Sequence, residues 1–167
     1  SAPPPPAPRA HAHHLASPQP HPSSLARPQY AAQYPSHVTP SSWIDTATNA
    51  AAALRNLTHN NTNNQEAIRE AGGIVPLIGL LRLGASSGAA SRAADALGGL
   101  ARNTHRNNQI AIREAGGIDE LVRLLSAEPI GEAATKAAGA LKHLAFAYSQ
   151  NREAIREAGG IQPLVSL

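Results

Sequence analysis

The chain has no cysteine. That excludes disulfides, thiol nucleophiles and Cys-ligated zinc, and it suits a reducing compartment. No apolar run approaches the roughly 18 residues needed to span a bilayer, and the N-terminus lacks the apolar core of a signal peptide. The expected location is therefore cytoplasmic and/or nuclear, with no membrane span. Acid is missing from residues 1–40, where Arg9 and Arg27 stand alone; the remainder carries 12 Lys/Arg against 11 Asp/Glu. The formal charge of +3 is a slight arginine excess and does not point to a nucleic-acid partner.

Catalytic groupings are lacking too. His59, His105 and His143 fall at unrelated places, with no serine or acid in a known pattern beside them. The Gly-Gly pairs follow helical rather than strand-like segments and lack the GxxxxGK[ST] spacing of a phosphate loop. No enzyme activity, cofactor or metal site is expected. Asn56-Leu57-Thr58 and Asn60-Asn61-Thr62 match the glycosylation pattern, but nothing marks the chain for secretion.

Residues 1–40 are rich in proline, alanine and histidine. Proline blocks helix interiors, and large apolar residues are too sparse to offset chain entropy. The segment reads as a disordered low-complexity tail, locally polyproline II, with Pro3–Pro6 an ordinary spacer or an SH3/WW ligand. Five histidines lie in it (His11, His13, His14, His21 and His37), without the fixed geometry that a metal site needs.

What the chain does have is repetition. NQEAIREAGGI (64–74) returns as NQIAIREAGGI (108–118) and as NREAIREAGGI (151–161), at periods of 44 and 43 residues. Self-similarity at that spacing marks a helical solenoid. Order is expected from about Ser41, with Ser42 and Asp45 spaced as a capping box, and a long helix running to about Thr58. Its apolar set Ala50, Ala53, Leu54 and Leu57 recurs as Ala93, Ala96, Leu97 and Leu100, then as Ala137, Ala140, Leu141 and Leu144. Between these lie a short helix (65–71), a Gly-Gly stop and a medium helix beginning IVPLIGLL. Pro76 and Pro163 fit a first helical turn; Glu120 holds the matching place in the middle copy. The ordered region, residues 41–167, therefore reads as the third helix of one repeat, two complete repeats and the start of another. The opening serine and the stop at Leu167 suggest a fragment of a longer protein. Leu164, Val165 and Leu167 are expected to be partly exposed, and Trp43 to cover the N-terminal edge.

These residues resemble armadillo repeats. The resemblance covers 45–167 and rests on three copies of NxxAIREAGGI, the following xPLV/xELV, and the closing ALRNL, ALGGL and ALKHL. The GGIxPLV wording is similar to plant and algal members, including vacuolar armadillo proteins and armadillo regions of ubiquitin ligases. The resemblance implies an all-α, right-handed solenoid of three-helix repeats whose third helices line a concave groove. It implies a protein-binding scaffold that takes an extended peptide or partner segment. The alternatives are a nuclear-import-type adaptor, or a non-catalytic segment of a larger ubiquitin-ligase-like protein. In peptide-binding members an asparagine late in the third helix bonds the ligand backbone, and a tryptophan one turn earlier packs its side chains. The asparagine position is Asn56, Gly99 and His143; the tryptophan position is Ala52, Asp95 and Gly139. The absent tryptophans weigh against recognition of basic nuclear signals.

Opposite the apolar set, the third helices present Asn56, Arg55, Arg92, Asp95, Arg102, Lys136, Lys142 and His143. These are the candidate partner-binding residues. The face carries five Lys/Arg against three Asp/Glu, so neutral or acidic segments are expected, with Arg92, Arg102, Lys136 and Lys142 as contacts. Asp95 stands close enough in sequence to pair with Arg92 and cancel its charge.

Overall fold

The computed structural model describes residues 40–102, 106–127, 129–146 and 148–167. The expectations for the tail lie outside these residues. Among the described residues the chain forms nine helices and no strand: α1 (Pro40–Thr58), α2 (Thr62–Glu70), α3 (Ile74–Leu81), α4 (Gly88–Ala101), α5 (Arg106–Glu114), α6 (Gly117–Ala127), α7 (Glu132–Ala145), α8 (Ser149–Glu157) and α9 (Ile161–Val165). They follow the expected order of short, medium and long. The long helices α1, α4 and α7 stack in that sequence, with α3 packed on α4 and α6 on α7.

The repeated Gly-Gly step ends each short helix by two separate devices. The first glycine takes left-handed geometry, at φ +74°, +76° and +76° for Gly72, Gly116 and Gly159. A Cβ on the second would meet the isoleucine five residues earlier: Ile68 Cγ2 at 2.8 Å from Gly73, Ile112 Cγ2 at 2.7 Å from Gly117 and Ile155 Cγ2 at 2.9 Å from Gly160. The Gly73 amide donates to Ile68 O and the Gly72 amide to Arg69 O, both at 2.9 Å, which satisfies the last carbonyls of α2.

The asparagine that opens each repeat motif has a role that the spacing alone did not reveal. Asn64, Asn108 and Asn151 donate through Nδ2 to Leu57 O, Leu100 O and Leu144 O at 3.0, 3.1 and 3.0 Å. Each one closes the C-terminus of a long helix from the short helix that follows. The next residue takes the next carbonyl: Gln65 bonds Thr58 O (2.8 Å), Gln109 bonds Ala101 O (3.1 Å) and Arg152 bonds Ala145 O (3.3 Å). Asn108 and Gln65 are fully buried, so these bonds are made where water cannot substitute.

Three expectations are corrected. The capping box does not form as read: α1 already begins at Pro40, so Ser42 and Asp45 lie inside the helix. Proline suits that first helical position because its missing N–H costs nothing there. The first short helix starts at Thr62 rather than Gln65, because the Asn61 side chain accepts from the Asn64 amide at 3.0 Å and caps it. The apolar face of α1 is not core like its two copies. Leu57 is 50% exposed, whereas Leu100 and Leu144 are fully buried. The latter two lie under α3 and α6, while no described medium helix covers α1. Trp43 is half-buried on that edge. At the other end Ile161, Leu164, Val165 and Leu167 are exposed, as the sequence suggested for the last three.

Candidate peptide-binding groove

The polar faces of α1, α4 and α7 meet in a groove of about 220 Å³. Of the candidate residues, Arg55, Asp95, Arg102, Lys136, Lys142 and His143 line it. Thr58, His59, Gly98, Gly99, Thr135, Gly139 and Ala140 complete the wall and floor. Asn56 and Arg92 do not border it. The Arg55 side chain reaches from α1 to Asp95 and Thr58 fills the space over Gly99, so Asn56 is left outside, with its Oδ1 accepting from Arg55 Nη1 at 3.4 Å. Arg92 lies nearer the start of α4, beside the first turn of α7, and is exposed there.

The pairing open to Asp95 and Arg92 is not the one that forms. Asp95 Oδ2 is 3.2 Å from both Arg55 Nε and Lys136 Nζ, and so joins all three helices. Arg92 pairs instead with Glu132, at 3.5 Å. Asp95 therefore does not cancel Arg92. It neutralises part of Arg55 and Lys136, in pairs exposed enough to be worth only about 0–1 kcal/mol each.

Arg102 and Lys142 have no ion-pair partner among the described residues. The Arg102 Nε is buried without a hydrogen bond. Both cations act on His143: burial, then Arg102, then Lys142 hold its imidazole below the ordinary value, favouring the neutral ring.

Gly99 stands where the resemblance implies an asparagine, and the structure shows why it is glycine. A Cβ there would overlap Thr58 Oγ1, which is buried and donates to Arg55 O at 2.7 Å. The equivalents of Thr58 are Ala101 and Ala145, and next to Ala101 the matching position carries a side chain, His143. The sequence analysis missed Thr58. The signal was there, in the one polar residue of an otherwise Thr/Ala/Ala series standing against the one glycine of an Asn/Gly/His series. Gly98 has a different cause: a Cβ would approach Ala140 Cα at 3.3 Å, where α4 and α7 run close together. Gly139 is unlike both, since a Cβ would meet nothing within 4 Å. It leaves the floor open.

Among the described residues no group of three or more His, Cys, Asp or Glu could hold a metal ion, and no helix is long and apolar enough to cross a membrane.

A computationally designed armadillo repeat protein for modular peptide recognition superposes on this chain with a TM-score of 0.66 at 29% identity. The architecture is an armadillo-type α-solenoid. The match covers 74% of this chain and 50% of the designed one, so the chain spans about half of that protein's length. No protein-family model and no curated protein matches the sequence.

Proposed function

We propose that the armadillo-type region is a non-catalytic scaffold that binds an extended segment of a partner protein in the groove between α1, α4 and α7. The observation that carries this is the bare, polar floor. Three successive long helices turn charged side chains inward, and Gly139 leaves space above α7 that no side chain of the described residues fills. An extended backbone fits such a space and can use the polar walls. The likeness to a solenoid designed for modular peptide recognition supports the same use. The absence of tryptophan at Ala52, Asp95 and Gly139 makes a general scaffold the better reading than a nuclear-import adaptor. Kinship with plant and algal armadillo proteins rests on the GGIxPLV wording alone and is proposed only on that basis.

Gly139→Leu tests the site directly. The open space around Gly139 accepts the side chain, and replacing a helical glycine should hold or raise stability by up to about 1 kcal/mol. Peptides selected from a display library on the unaltered chain should lose binding to the variant at unchanged helix content. Binding that survives Gly139→Leu would place the peptide elsewhere.

A further inference from the structure

We propose that the groove contains an anion subsite, built from Arg102, Lys142 and His143 beside the Gly139 opening, that takes an acidic side chain of the bound segment. This rests on the reading of the groove as a peptide site and adds the chemistry of one position within it.

The groove lining carries four Lys/Arg and one acid. Asp95 is shared by Arg55 and Lys136, so its compensation is spent on the part of the groove around those two residues. Arg92 and Glu132 form their own pair outside the lining. What is left uncompensated is Arg102, at the C-cap of α4, and Lys142, in the last turn of α7. Cations at helix ends commonly serve the last carbonyls. Neither does so here: among the described residues neither donates to a carbonyl, and the buried Arg102 Nε has no hydrogen-bond partner. The Nε itself is sealed from the groove, but Arg102 lines the groove without an ion pair among the described residues, and a guanidinium so placed favours an oxygen anion beside it. Gly139 lies one helical turn before Lys142 and His143, so a ligand chain can reach these groups without meeting a side chain on the floor.

His143 adds a proton-linked element. The charged and titratable groups around it are Arg55 from α1 and His59 just after it, Asp95 from α4 and Arg102 at its C-cap, and Lys136 and Lys142 from α7. Burial and the neighbouring cations hold the free imidazole below its ordinary value. An anion seated between Arg102 and Lys142 offsets those cations and raises the imidazole's affinity for a proton. The sign follows from linkage. Because the bound state holds the proton more tightly, binding strengthens as pH falls through the bound-state value of His143. It levels off below the free-state value. Carboxylate and phosphoryl groups share the required chemistry.

Two measurements on the full chain test the proposal. Sulfate, added at constant ionic strength against chloride, should raise the imidazole titration midpoint of His143 in NMR spectra, with the resonance assigned by comparison with His143→Gln. The shift should vanish in Arg102→Gln/Lys142→Gln, whose changes are isosteric enough to keep the helices. An unmoved midpoint, or an equal shift in the double variant, would overturn the subsite. Neutral Gly/Ser/Ala peptides bearing one glutamate, one phosphoserine or one glutamine supply the second measurement. Both anionic peptides should bind at least about threefold tighter than the glutamine peptide near pH 5.5; the glutamate margin should shrink towards pH 8, and in His143→Gln a margin set by Arg102 and Lys142 should remain but lose that pH dependence. The stronger of the two identifies the preferred source of the anion. Equal binding of glutamate and glutamine peptides would sink the subsite and leave peptide binding standing. A sulfate response without binding of any peptide would sink the peptide reading, and with it the acidic side chain as the occupant.

Discussion

At the residue scale, Thr58 and Gly99 behave as a pair. Gly99→Asn restores the side chain that the repeat pattern implies, yet it should destabilise the fold, since overpacking a tight contact costs about 1–3 kcal/mol. Thr58→Ala should relieve most of that penalty. Urea unfolding of the two single variants and the double variant measures the coupling, and additive effects would show that the two side chains do not compete. Asn108 offers a second residue-level test. Its buried amide closes α4 through Leu100 O, so Asn108→Ala should cost about 1–3 kcal/mol. Asn64→Ala should cost less, because Asn64 makes the same bond at a half-exposed site where water can replace it. The repeat placed these asparagines in register, but it could not say which carbonyl each one faces. The acceptor lies seven or eight residues earlier, across a loop whose path the spacing does not specify.

At the element scale, identical side chains at identical repeat positions differ only in what covers them. Leu100→Ala and Leu144→Ala should each cost about 2–5 kcal/mol, as deletions in a packed core do. Leu57→Ala should cost well under that, because half of the side chain is already in water. Equal losses at all three positions, by thermal or urea unfolding, would mean that α1 is covered as the others are. The helices themselves were legible in the sequence, since periodicity is local. Burial depends on which element lies next door, so the exposed face of α1 was not. Beside it lies an apolar hollow of about 230 Å³ between α1 and α2, bordered by Leu54, Leu57, Ala67 and Ile68.

The link between the medium helices is electrostatic and should respond to pH. Glu120 on α6 bonds Arg82 at 2.8 Å and Arg123 at 2.7 Å. Burial pushes its carboxyl up, but the bonds from Arg123 and Arg82 outweigh that and hold it below the ordinary value. A depressed carboxylate contributes stability above its unfolded-state value and loses it as pH falls through the folded-state value. Glu120→Gln should therefore flatten the acid limb of the stability profile while reducing stability at neutral pH. An unchanged acid limb would assign it to other carboxylates, such as Glu153, which Arg156 also holds low.

At the scale of the whole molecule, the solenoid is close to one-dimensional: α1 packs mainly on α4, and α4 on α7. Stability should therefore be graded along the stack. Native-state hydrogen exchange should find the slowest amides in α4, which has a long helix on either side, and faster exchange in α1 and α9. Uniform protection would indicate a single all-or-none unit. The groove was partly legible in the sequence. A helical wheel placed Arg55, Asp95, Arg102, Lys136, Lys142 and His143 on the inner face, where the structure has them. It could not resolve who pairs with whom, because that depends on the relative heights of separate helices. Arg92 was lost to Glu132, and Asn56 to the outer side, for that reason.

Gln109 bears on how two of the groove helices are held together. Its one amide nitrogen donates to Ala101 O at 3.1 Å and to His143 O at 3.0 Å, so it ties the end of α4 to the end of α7. At the preceding joint, Gln65 holds only the nearer helix, through Thr58 O. The Gln109 tie adds to the direct packing of α4 on α7, where Gly98 lies close against Ala140. If the groove holds an extended segment as proposed, side chains spaced to match the distance between α4 and α7 would engage both helices at once. On that proposal the groove would gauge spacing as well as charge.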